Sequence, residues 1–484
     1  MWRFSSADSP TPQLPVSLKE KFPRMQSSSA LSGIFTKAAP RFELGIKDLQ
    51  SSALPLGHAA AREQLSPSGD RISHAPGSLL FLCNGHGEDL ITLRIIQAVH
   101  RRAPRRPLTV LPLVGAGRVF DAAVQQGWLT RLGPKAALPS GGFSNQSLRG
   151  LLADVRAGLP SLSWSQWQLV RRLGHERQPI VAVGDLLPLL MAWSSGAPFG
   201  FIGTPKSDYT WLSGPGRAKS DCYHRLKGSE WDPWEWRLMR SRRCQLVAMR
   251  DRLTARGLQR KGVSALAPGN PMMDGLQVQP LPSALDRCRR VLLLCGSRMP
   301  EAQRNLQRLV RSAMALPGRV PMALLVAVGA QPDAKALNDT FEHLGFRRSL
   351  PPSDQLGAEA CWVKGACLVL IGRGCFDQWA GWAEAGIATA GTATEQLVGL
   401  GIPALSLPGP GPQFKPGFAR RQSRLLGGAV RPCSDESELT RRLEFLLDDP
   451  ALRSHLGRIG TQRMGPAGGS DQLARLILDR FNGY

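Results

Sequence analysis

The fold is indicated by the stretch Ala388-Thr389-Ala390-Gly391-Thr392-Ala393-Thr394-Glu395-Gln396-Leu397, where small residues separate an apolar run from a helix. The apolar run 367–371 upstream and the run 404–407 downstream both predict strands. A strand, a small-residue turn, a helix and a strand form a βα unit, whose helix start offers backbone N–H groups to a diphosphate. Glu395, near the start of that helix, could meet the hydroxyls of a ribose. A tightly packed turn without a ligand is the alternative.

A second turn of this kind follows the apolar run 291–295. Gly296 allows close approach of the backbone, Ser297 could cap the next helix, and Arg298 could bind phosphate through its forked guanidinium. Together the two turns predict a nucleotide-diphosphate site. Its candidate residues are Gly296, Ser297, Arg298, Gly391, Thr392 and Glu395.

The charge of the chain is strongly basic. The formal net charge is +24 over 484 residues, and the isoelectric point is near 10.6. Such a charge attracts polyanions, although part of it belongs to ordinary solvated arginine-rich faces. The sequence contains no motif that reads RNA or DNA, and its aromatic residues are not interleaved along basic strands. We therefore expect an anionic membrane surface as a partner and no nucleic acid.

Nine cysteines are scattered along the chain, without a Cys-x-x-Cys pair and without a histidine at zinc spacing. Buried thiols in a reducing compartment fit this pattern, and we expect no metal and no cofactor other than the co-substrate. No apolar run reaches the length of a membrane span, since the run 181–193 contains Asp185 and Pro188. A cytoplasmic, peripheral membrane location is predicted.

The composition of the chain and the alternation of predicted strands and helices divide it into three segments. Residues 1–77 are rich in Ser, Pro and Ala and are interpreted as a disordered or targeting tail. A transit peptide would imply a plastid, and an over-long start is the alternative. Residues 78–280 are predicted to form an N-terminal Rossmann-like acceptor domain. Residues 281–484 are predicted to form a C-terminal Rossmann-like donor domain, with its last helices packing back.

Within these segments apolar runs alternate with helical patterns, which predicts parallel sheets covered by helices on both faces. The predicted strands are 79–83, 108–113, 179–185, 199–203, 246–249, 291–295, 323–328, 367–371, 387–390 and 404–407.

Four motifs, in order along residues 78 to 470, resemble the lipid-A-disaccharide synthase family, which are glycosyltransferases of the GT-B class. They are Gly184-Asp185-Leu186-Leu187-Pro188, Gly269-Asn270-Pro271, Leu294-Cys295-Gly296-Ser297-Arg298, and Ala390-Gly391-Thr392-Ala393-Thr394-Glu395. The family carries Gly-Ile-Asp-Ala-Pro, Gly-His-Pro, Leu-Pro-Gly-Ser-Arg and Ser-Gly-Thr-Ala-x-x-Glu at these places. The resemblance implies two Rossmann-like domains that face a central cleft. It also implies transfer of a GlcNAc-type sugar from a UDP-sugar to a lipid or lipid-linked acceptor, as in lipid A biosynthesis.

The chain departs from this family on the acceptor side. The opening loop is Asn84-Gly85-His86-Gly87-Glu88-Asp89 instead of Gly-Glu-x-Ser-Gly-Asp, and the region 204–236 differs from the family's Trp-Ala-Trp region. The chain therefore resembles a divergent subfamily related to the lipid-A-disaccharide synthases, and the resemblance leaves the identity of the acceptor open.

Two residues are candidates for the base that deprotonates the acceptor. Asp185 ends a buried strand at the carboxyl edge, where ligands of open α/β sheets bind, and the family carries an important Asp here. Its alternative role is an N-cap. His86, in the glycine-rich first loop, titrates near neutrality, and a backbone-bonded loop histidine is its alternative. Glu88 is a candidate acceptor contact or a charge in the first helix turn. In the resembled class the loop that carries Gln413 commonly meets the sugar.

Tryptophans and arginines are concentrated in the segment 211–243. Tryptophans beside basic residues suit a lipid headgroup interface, and packing in a core is the alternative. The candidates for the acceptor and membrane side are Trp211, Trp231, Trp234, Trp236 and Arg240.

Other functions compatible with these motifs are a UDP-sugar 2-epimerase and a non-catalytic nucleotide-sugar binding protein. An epimerase would not need the tryptophan-rich segment and would place more carboxylates and histidines in the cleft. Retention of both phosphate-facing turns disfavours a non-catalytic role.

Overall fold

The computed structural model describes residues 77–133, 159–318, 320–409 and 414–484, and for His86 it describes the backbone alone. The predicted tail up to residue 76 and Gln413 lie outside these ranges. Within the ranges, the longest helices are too short or too polar to cross a bilayer.

The first sheet has seven parallel strands in the order β3-β2-β1-β4-β5-β6-β7. Its central strands are short apolar runs, and β1, β2, β4 and β5 are buried along their whole length because helices cover both faces. The strands are β1 (Leu79–Cys83), β2 (Leu108–Pro112), β3 (Thr130–Arg131), β4 (Ile180–Gly184), β5 (Phe199–Gly203), β6 (Cys244–Met249) and β7 (Ala265–Leu266).

The helices of this half form two layers. The first helix covers one face of the sheet through Ile91 and Ile95. On the other face, Val170, Leu189 and Met239 belong to one buried cluster with the strands. The helices are α1 (His86–Arg102), α2 (Asp121–Gln125), α3 (Leu159–His175), α4 (Leu186–Ser194), α5 (Tyr209–Leu212), α6 (Ser220–Lys227), α7 (Pro233–Met239) and α8 (Arg252–Gln259).

The second sheet has eight strands in the order β10-β11-β12-β9-β8-β13-β14-β15. Five neighbouring pairs are parallel, whereas β10, β11 and β12 form an antiparallel edge. The strands are β8 (Arg289–Leu294), β9 (Met322–Val328), β10 (Arg347–Ser349), β11 (Ala360–Lys364), β12 (Cys367–Arg373), β13 (Ala385–Ala388), β14 (Ala404–Ser406) and β15 (Val430–Pro432).

The helices of the second half are α9 (Glu301–Met314), α10 (Ala334–His343), α11 (Phe376–Trp379), α12 (Thr392–Gly399), α13 (Pro416–Leu425), α14 (Glu436–Asp448), α15 (Pro450–Met464) and α16 (Gly469–Arg480). Two glycines let α15 lie directly on the end of α12. A Cβ at Gly457 would overlap the carbonyl oxygen of Gly401, and a Cβ at Gly460 would overlap that of Val398.

The last helix, α16, packs against the first half of the chain, on the face of the first sheet that α1 also covers. Arg102 of α1 donates two hydrogen bonds to Asp471, at 2.8 and 2.6 Å. Phe481 is fully buried, and a Cβ at Gly200 of β5 would lie 3.4 Å from its ring. The hydrophobic layer over that face is completed only by α16.

Ion pairs join α13 to the segment between β5 and β6. Arg424 donates to both carboxylate oxygens of Asp221 at 2.8 Å, and Arg421 donates to Glu230 at 2.6 Å. Arg424 and Asp221 are both nearly buried. The two sheets are thus tied by charged contacts as well as by the chain.

The predicted fold class of two Rossmann-like α/β sheets, mostly parallel, is confirmed. The predicted strands are all present, with ends that differ by at most two residues. The predicted boundary at residues 280 and 281 falls in the segment between β7 and β8 and stays a prediction.

Candidate functional site

The first crevice lies where the first sheet reverses its strand order. The chain leaves β1 toward β2 and leaves β4 toward β5, so the loops after β1 and β4 diverge and open a crevice at the carboxyl edge. Asn84 and Asp185 are the residues just after these strands. The side-chain amide of Asn84 donates to Oδ1 of Asp185 at 2.8 Å.

Asp185 is also the N-cap of α4. The same Oδ1 accepts from the backbone N–H of Leu187 at 3.1 Å, which is the capping role that the sequence left open. Burial raises the pKa of Asp185, while the hydrogen bonds and the charge of Lys206 oppose that rise. Whether Asp185 also takes a proton from a substrate stays a prediction.

Glu88 lies in the first turn of α1, in the same crevice. The hydroxyl of Thr204 lies 3.5 Å from its Oε1. Burial raises the pKa of Glu88 to about 7, and the negative charges of Asp185, Asp89 and Glu395 add to this rise. A carboxyl that titrates near neutrality can exchange a proton with a hydroxyl group.

The neighbouring Asp89 has a structural role. Its Oδ1 accepts from the backbone N–H of Gly85 at 3.1 Å and so closes the turn between β1 and α1. Burial raises its pKa to about 6. His86 begins α1 at this turn, which puts its backbone in the crevice.

The second crevice is the counterpart of the first in the second sheet, where β8 and β13 are neighbours and their loops diverge. The backbone N–H of Thr389 donates to the carbonyl of Leu294 at 2.8 Å, which joins the two loops. Gly296 has a φ of 87°, and a Cβ there would lie 3.6 Å from the carbonyl oxygen of Thr389. Glycine is the residue that adopts this conformation without strain.

Gly391 is the N-cap of α12 and supplies no side chain to cap it. The first N–H groups of a helix have no partner within the helix, so they can bind an anion. Thr392 is the first residue of the helix and is half-buried. This geometry suits the predicted diphosphate contact, which stays a prediction.

The expectation that Ser297 caps the next helix is wrong. α9 begins at Glu301 with Pro300 at the N-cap, and Ser297 is exposed in the loop before it. Proline at residue 300 has no N–H for the Ser297 side chain to cap, and it disfavours the helical conformation at Met299, so the helix starts after it. Arg298 is half-buried in that loop, and its burial lowers its pKa while Glu301 opposes the change.

The two crevices meet at the N-termini of α1 and α12. A Cβ at Gly87 would lie 2.8 Å from the hydroxyl oxygen of Thr392, so the two helix ends approach each other closely at this glycine. The carboxylates of the first crevice therefore lie beside the anion-binding helix end of the second.

Glu395 faces the first half of the chain. Arg250, just after β6, donates to its Oε2 at 3.1 Å, and both side chains are largely buried. Arg250 also donates to the carbonyl of Thr204 at 3.3 Å. Arg250 was not among the predicted site residues, although its place at the carboxyl end of a strand is the signal that marked Asp185. The predicted ribose contact of Glu395 requires this ion pair to rearrange.

Two of the four tryptophans in the segment 211–243 belong to the core. Trp231 is completely buried and packs edge-on against Phe201, with ring centroids 5.5 Å apart. Trp211 is 7% exposed, and its indole N–H donates to Asp208 at 3.2 Å. The prediction that these two tryptophans contact a membrane is wrong, because both side chains are buried in the protein.

The other residues of that segment lie nearer the surface. Trp236 is half-buried beneath Lys261, whose Nζ lies 5.2 Å from the ring centroid. Trp234 is 42% exposed, and Arg240 is exposed. Because both side chains are exposed, membrane contact by Trp234 and Arg240 stays a prediction.

A largely buried charge network includes three ionic residues of this segment and Lys206 before it. Lys206 donates to both oxygens of Glu235, at 2.8 and 2.7 Å, and Lys227 pairs with Asp232. Within the described ranges no group of three or more His, Cys, Asp or Glu side chains could hold a metal ion. The network is an internal support for the insertion between β5 and β6.

Neither a protein-family model nor a curated protein matches the chain. Solved structures with a similar arrangement include MnaA of S. aureus with UDP, at 13% identity over 84% of this chain and 97% of that chain, with a TM-score of 0.47. MurG of Acinetobacter baumannii matches at 13% identity over 84% and 100%, with a TM-score of 0.48. UDP-GlcNAc 2-epimerase from Neisseria meningitidis bound to UDP-GlcNAc matches at 12% identity over 84% and 100%, with a TM-score of 0.45. Similarity at this level says nothing about substrate or reaction.

Proposed function

We propose that the protein is a glycosyltransferase that moves a sugar, of the GlcNAc type, from a UDP-sugar to a lipid or lipid-linked acceptor. The observation that carries this proposal is the meeting of the two crevices between Gly87 and Thr392. A helix N-terminus suited to a diphosphate lies there beside carboxyl groups suited to proton transfer. A group-transfer reaction needs these two functions side by side.

The donor is placed in the second crevice. The N–H groups at the start of α12 and the guanidinium of Arg298 would stabilise the diphosphate, both before the reaction and as the UDP leaving group gains charge. Glu395 would accept hydrogen bonds from the ribose hydroxyls once its ion pair with Arg250 is broken. Gln413 remains the predicted contact to the sugar.

The acceptor is placed in the first crevice. Its hydroxyl oxygen would form the new bond to the anomeric carbon as the bond from that carbon to the UDP oxygen breaks. Asp185 and His86 are the predicted bases that take the hydroxyl proton, and we propose Glu88 as a third candidate because its pKa is raised to about 7. Burial, which disfavours the ionised form, makes each carboxylate a stronger base.

The test is release of UDP from UDP-GlcNAc in the presence of a membrane lipid extract. Release should depend on the lipid, and Asp185→Asn should lower turnover by roughly 10²–10⁴-fold while donor binding is kept. Arg298→Ala should instead weaken donor binding, measured by calorimetry, by about 1.5–3 kcal/mol, the range of a charge-assisted hydrogen bond. Unchanged affinity in Arg298→Ala would remove the donor site from the second crevice.

A UDP-sugar 2-epimerase is the second candidate, because four carboxylates gather around the crevices: Glu88, Asp89, Asp185 and Glu395. An epimerase needs an acid and a base on the sugar and no acceptor. Incubation with UDP-GlcNAc in deuterated water, with and without lipid, separates the two functions. Deuterium at C2 of the sugar would favour epimerisation, and UDP release that depends on lipid would favour transfer.

A further inference from the structure

The exposed tryptophans of the described chain all lie on three helices of one layer. Trp164 of α3 is 47% exposed, Trp193 of α4 is 39% exposed and Trp234 of α7 is 42% exposed. Leu190 of α4 is 36% exposed beside them. We call this surface, defined by Trp164, Leu190, Trp193 and Trp234, the aromatic face.

The three helices form a continuous support for this surface. α4 packs against α3 on one side and against α7 on the other. The indole N–H of Trp167 donates to the hydroxyl of Ser194 at 3.1 Å, which ties α3 to the end of α4. Trp167 and Trp236 pack against the buried cluster under the layer. The exposed rings therefore project from the outer side of a rigid layer.

The charge around the aromatic face is mostly positive. The three helices contain one carboxylate, Glu235, and it is completely buried. Exposed arginines lie on the same helices or in the loop after α7, and they are Arg171, Arg172, Arg237, Arg240 and Arg242. The guanidinium of Arg171 lies over the Trp167 ring, 5.2 Å from its centroid. One exposed carboxylate, Glu176, directly follows α3 and lies beside Arg171 and Arg172. Exposed indole rings among guanidinium groups that outnumber the exposed carboxylates match the interface of an anionic bilayer.

The α3 side of the aromatic face lies near the carboxyl edge of the first sheet. Gln166 of α3 donates to the carbonyls of Pro112 and Leu113, both at 3.3 Å, at the carboxyl end of β2. Asp185 caps α4, and Trp193 lies eight residues further along that helix, roughly 12 Å along its axis. A bilayer on this face would lie within reach of the crevice in which we place the acceptor.

We propose that the aromatic face is a docking surface for an anionic lipid bilayer, which the protein binds reversibly. The purpose of the docking, delivery of a lipid-linked acceptor to the crevice, rests on the function proposed above. The surface replaces the buried Trp211 and Trp231 of the sequence prediction by Trp164 and Trp193, and it retains Trp234.

The experiment is flotation of the full-length protein with vesicles of phosphatidylglycerol and phosphatidylcholine, or of phosphatidylcholine alone, at low and high salt. Binding should require phosphatidylglycerol and fall at high salt. The triple variant Trp164→Ala, Trp193→Ala, Trp234→Ala should bind about tenfold more weakly. Arg171→Glu combined with Arg172→Glu should weaken binding at low salt by at least roughly tenfold, since each basic residue near the surface contributes about 1 kcal/mol.

The matched controls are Phe445→Ala and Arg441→Glu. Both residues are exposed on α14 of the second half, away from the aromatic face. They should leave vesicle binding unchanged, and circular dichroism should show that every variant is folded. Undiminished binding in the triple variant, or an equal loss in the controls, would overturn the proposal.

The vesicles contain neither acceptor nor UDP-sugar, so this result is independent of the enzymatic one. Protein that binds UDP in calorimetry but fails to float would overturn the docking surface and leave the donor site intact. Protein that floats through the aromatic face but binds no UDP would support the docking surface and overturn the proposed function.

Discussion

Glu88 is subject to two opposing effects. Its position in the first turn of α1 favours a negative charge, because the helix N-terminus carries a partial positive charge. Burial and the neighbouring carboxylates act in the other direction and raise its pKa to about 7. Because the pKa is raised, burial and the neighbouring negative charges have a larger effect on Glu88 than the partial positive charge of the helix N-terminus.

The raised pKa has a consequence for stability. The ordinary pKa of glutamate, 4.5, applies to the unfolded chain, so the folded state holds this proton up to a higher pH. The stability that comes from the neutral carboxyl is present below pH 4.5 and is lost as the pH rises through 7. Glu88→Gln should therefore raise the free energy of unfolding at pH 8 by roughly 1–3 kcal/mol and leave it nearly unchanged at pH 4.5.

Urea unfolding at the two pH values measures this difference. Glu342→Gln, which removes an exposed carboxylate from α10, is the control and should change neither value. An equal gain at both pH values for Glu88→Gln would show that the charge of Glu88 is not what costs stability.

Single residues also show which parts of the site the sequence could reveal. Asp185 is predictable because a carboxylate directly after a buried strand is visible in the sequence. Arg250 follows a strand in the same way, but its importance comes from Glu395, 145 residues further on, and the sequence shows no such pairing. Trp231 could not be assigned to the core because it lies in an insertion without a regular apolar period.

At the scale of elements, the contact between α15 and α12 depends on two glycines. Gly457 and Gly460 face carbonyl oxygens of the backbone, which cannot move aside as a side chain could. Gly457→Ala and Gly460→Ala should each lower the free energy of unfolding by about 1–3 kcal/mol, the usual cost of overpacking.

Gly417→Ala is the matched control for these two changes. Gly417 also lies in a helix, α13, but a Cβ there would meet no atom within 4 Å. The control should be neutral or should stabilise by up to about 1 kcal/mol, because alanine favours a helix more than glycine does. Thermal unfolding of the three variants side by side gives the comparison, and equal behaviour of all three would contradict the packing argument.

The elements differ in how far the sequence predicts them. The buried parallel strands are predictable because a short apolar run bounded by Gly or Pro is typical of a strand covered on both faces. The antiparallel edge of β10 and β11 is absent from the predicted strands, since β10 is an exposed three-residue strand without apolar alternation. Its pairing is determined by β11 and by the tight turn between Lys364 and Cys367, not by its own residues.

At the scale of the whole molecule, a nearly buried ion pair joins the two halves. Arg424 and Asp221 are 9% and 10% exposed, and Arg424 also donates to the carbonyl of Gly216 at 2.8 Å. Asp221→Ala would leave the guanidinium buried without its carboxylate, so it should lower the free energy of unfolding by about 3–5 kcal/mol.

The double variant Asp221→Leu, Arg424→Met separates charge from packing. It removes both charges and keeps apolar volume, so it should recover much of the stability that Asp221→Ala loses. Chemical denaturation measures both variants. A double variant less stable than Asp221→Ala would show that the pair contributes through its attraction and not through the cost of leaving one charge alone.

The packing of α16 against the first sheet has a consequence for folding during synthesis, because the ribosome makes the chain from its N-terminus. The ribosome completes the strands of the first sheet at Leu266, but Phe481, which covers Gly200, is synthesised more than two hundred residues later. At roughly 5–20 residues per second, the uncovered apolar surface waits on the order of tens of seconds for its last helix. A nascent chain in that interval is a natural client for a chaperone, and a ribosome that stalls before α16 would release a polypeptide prone to aggregation.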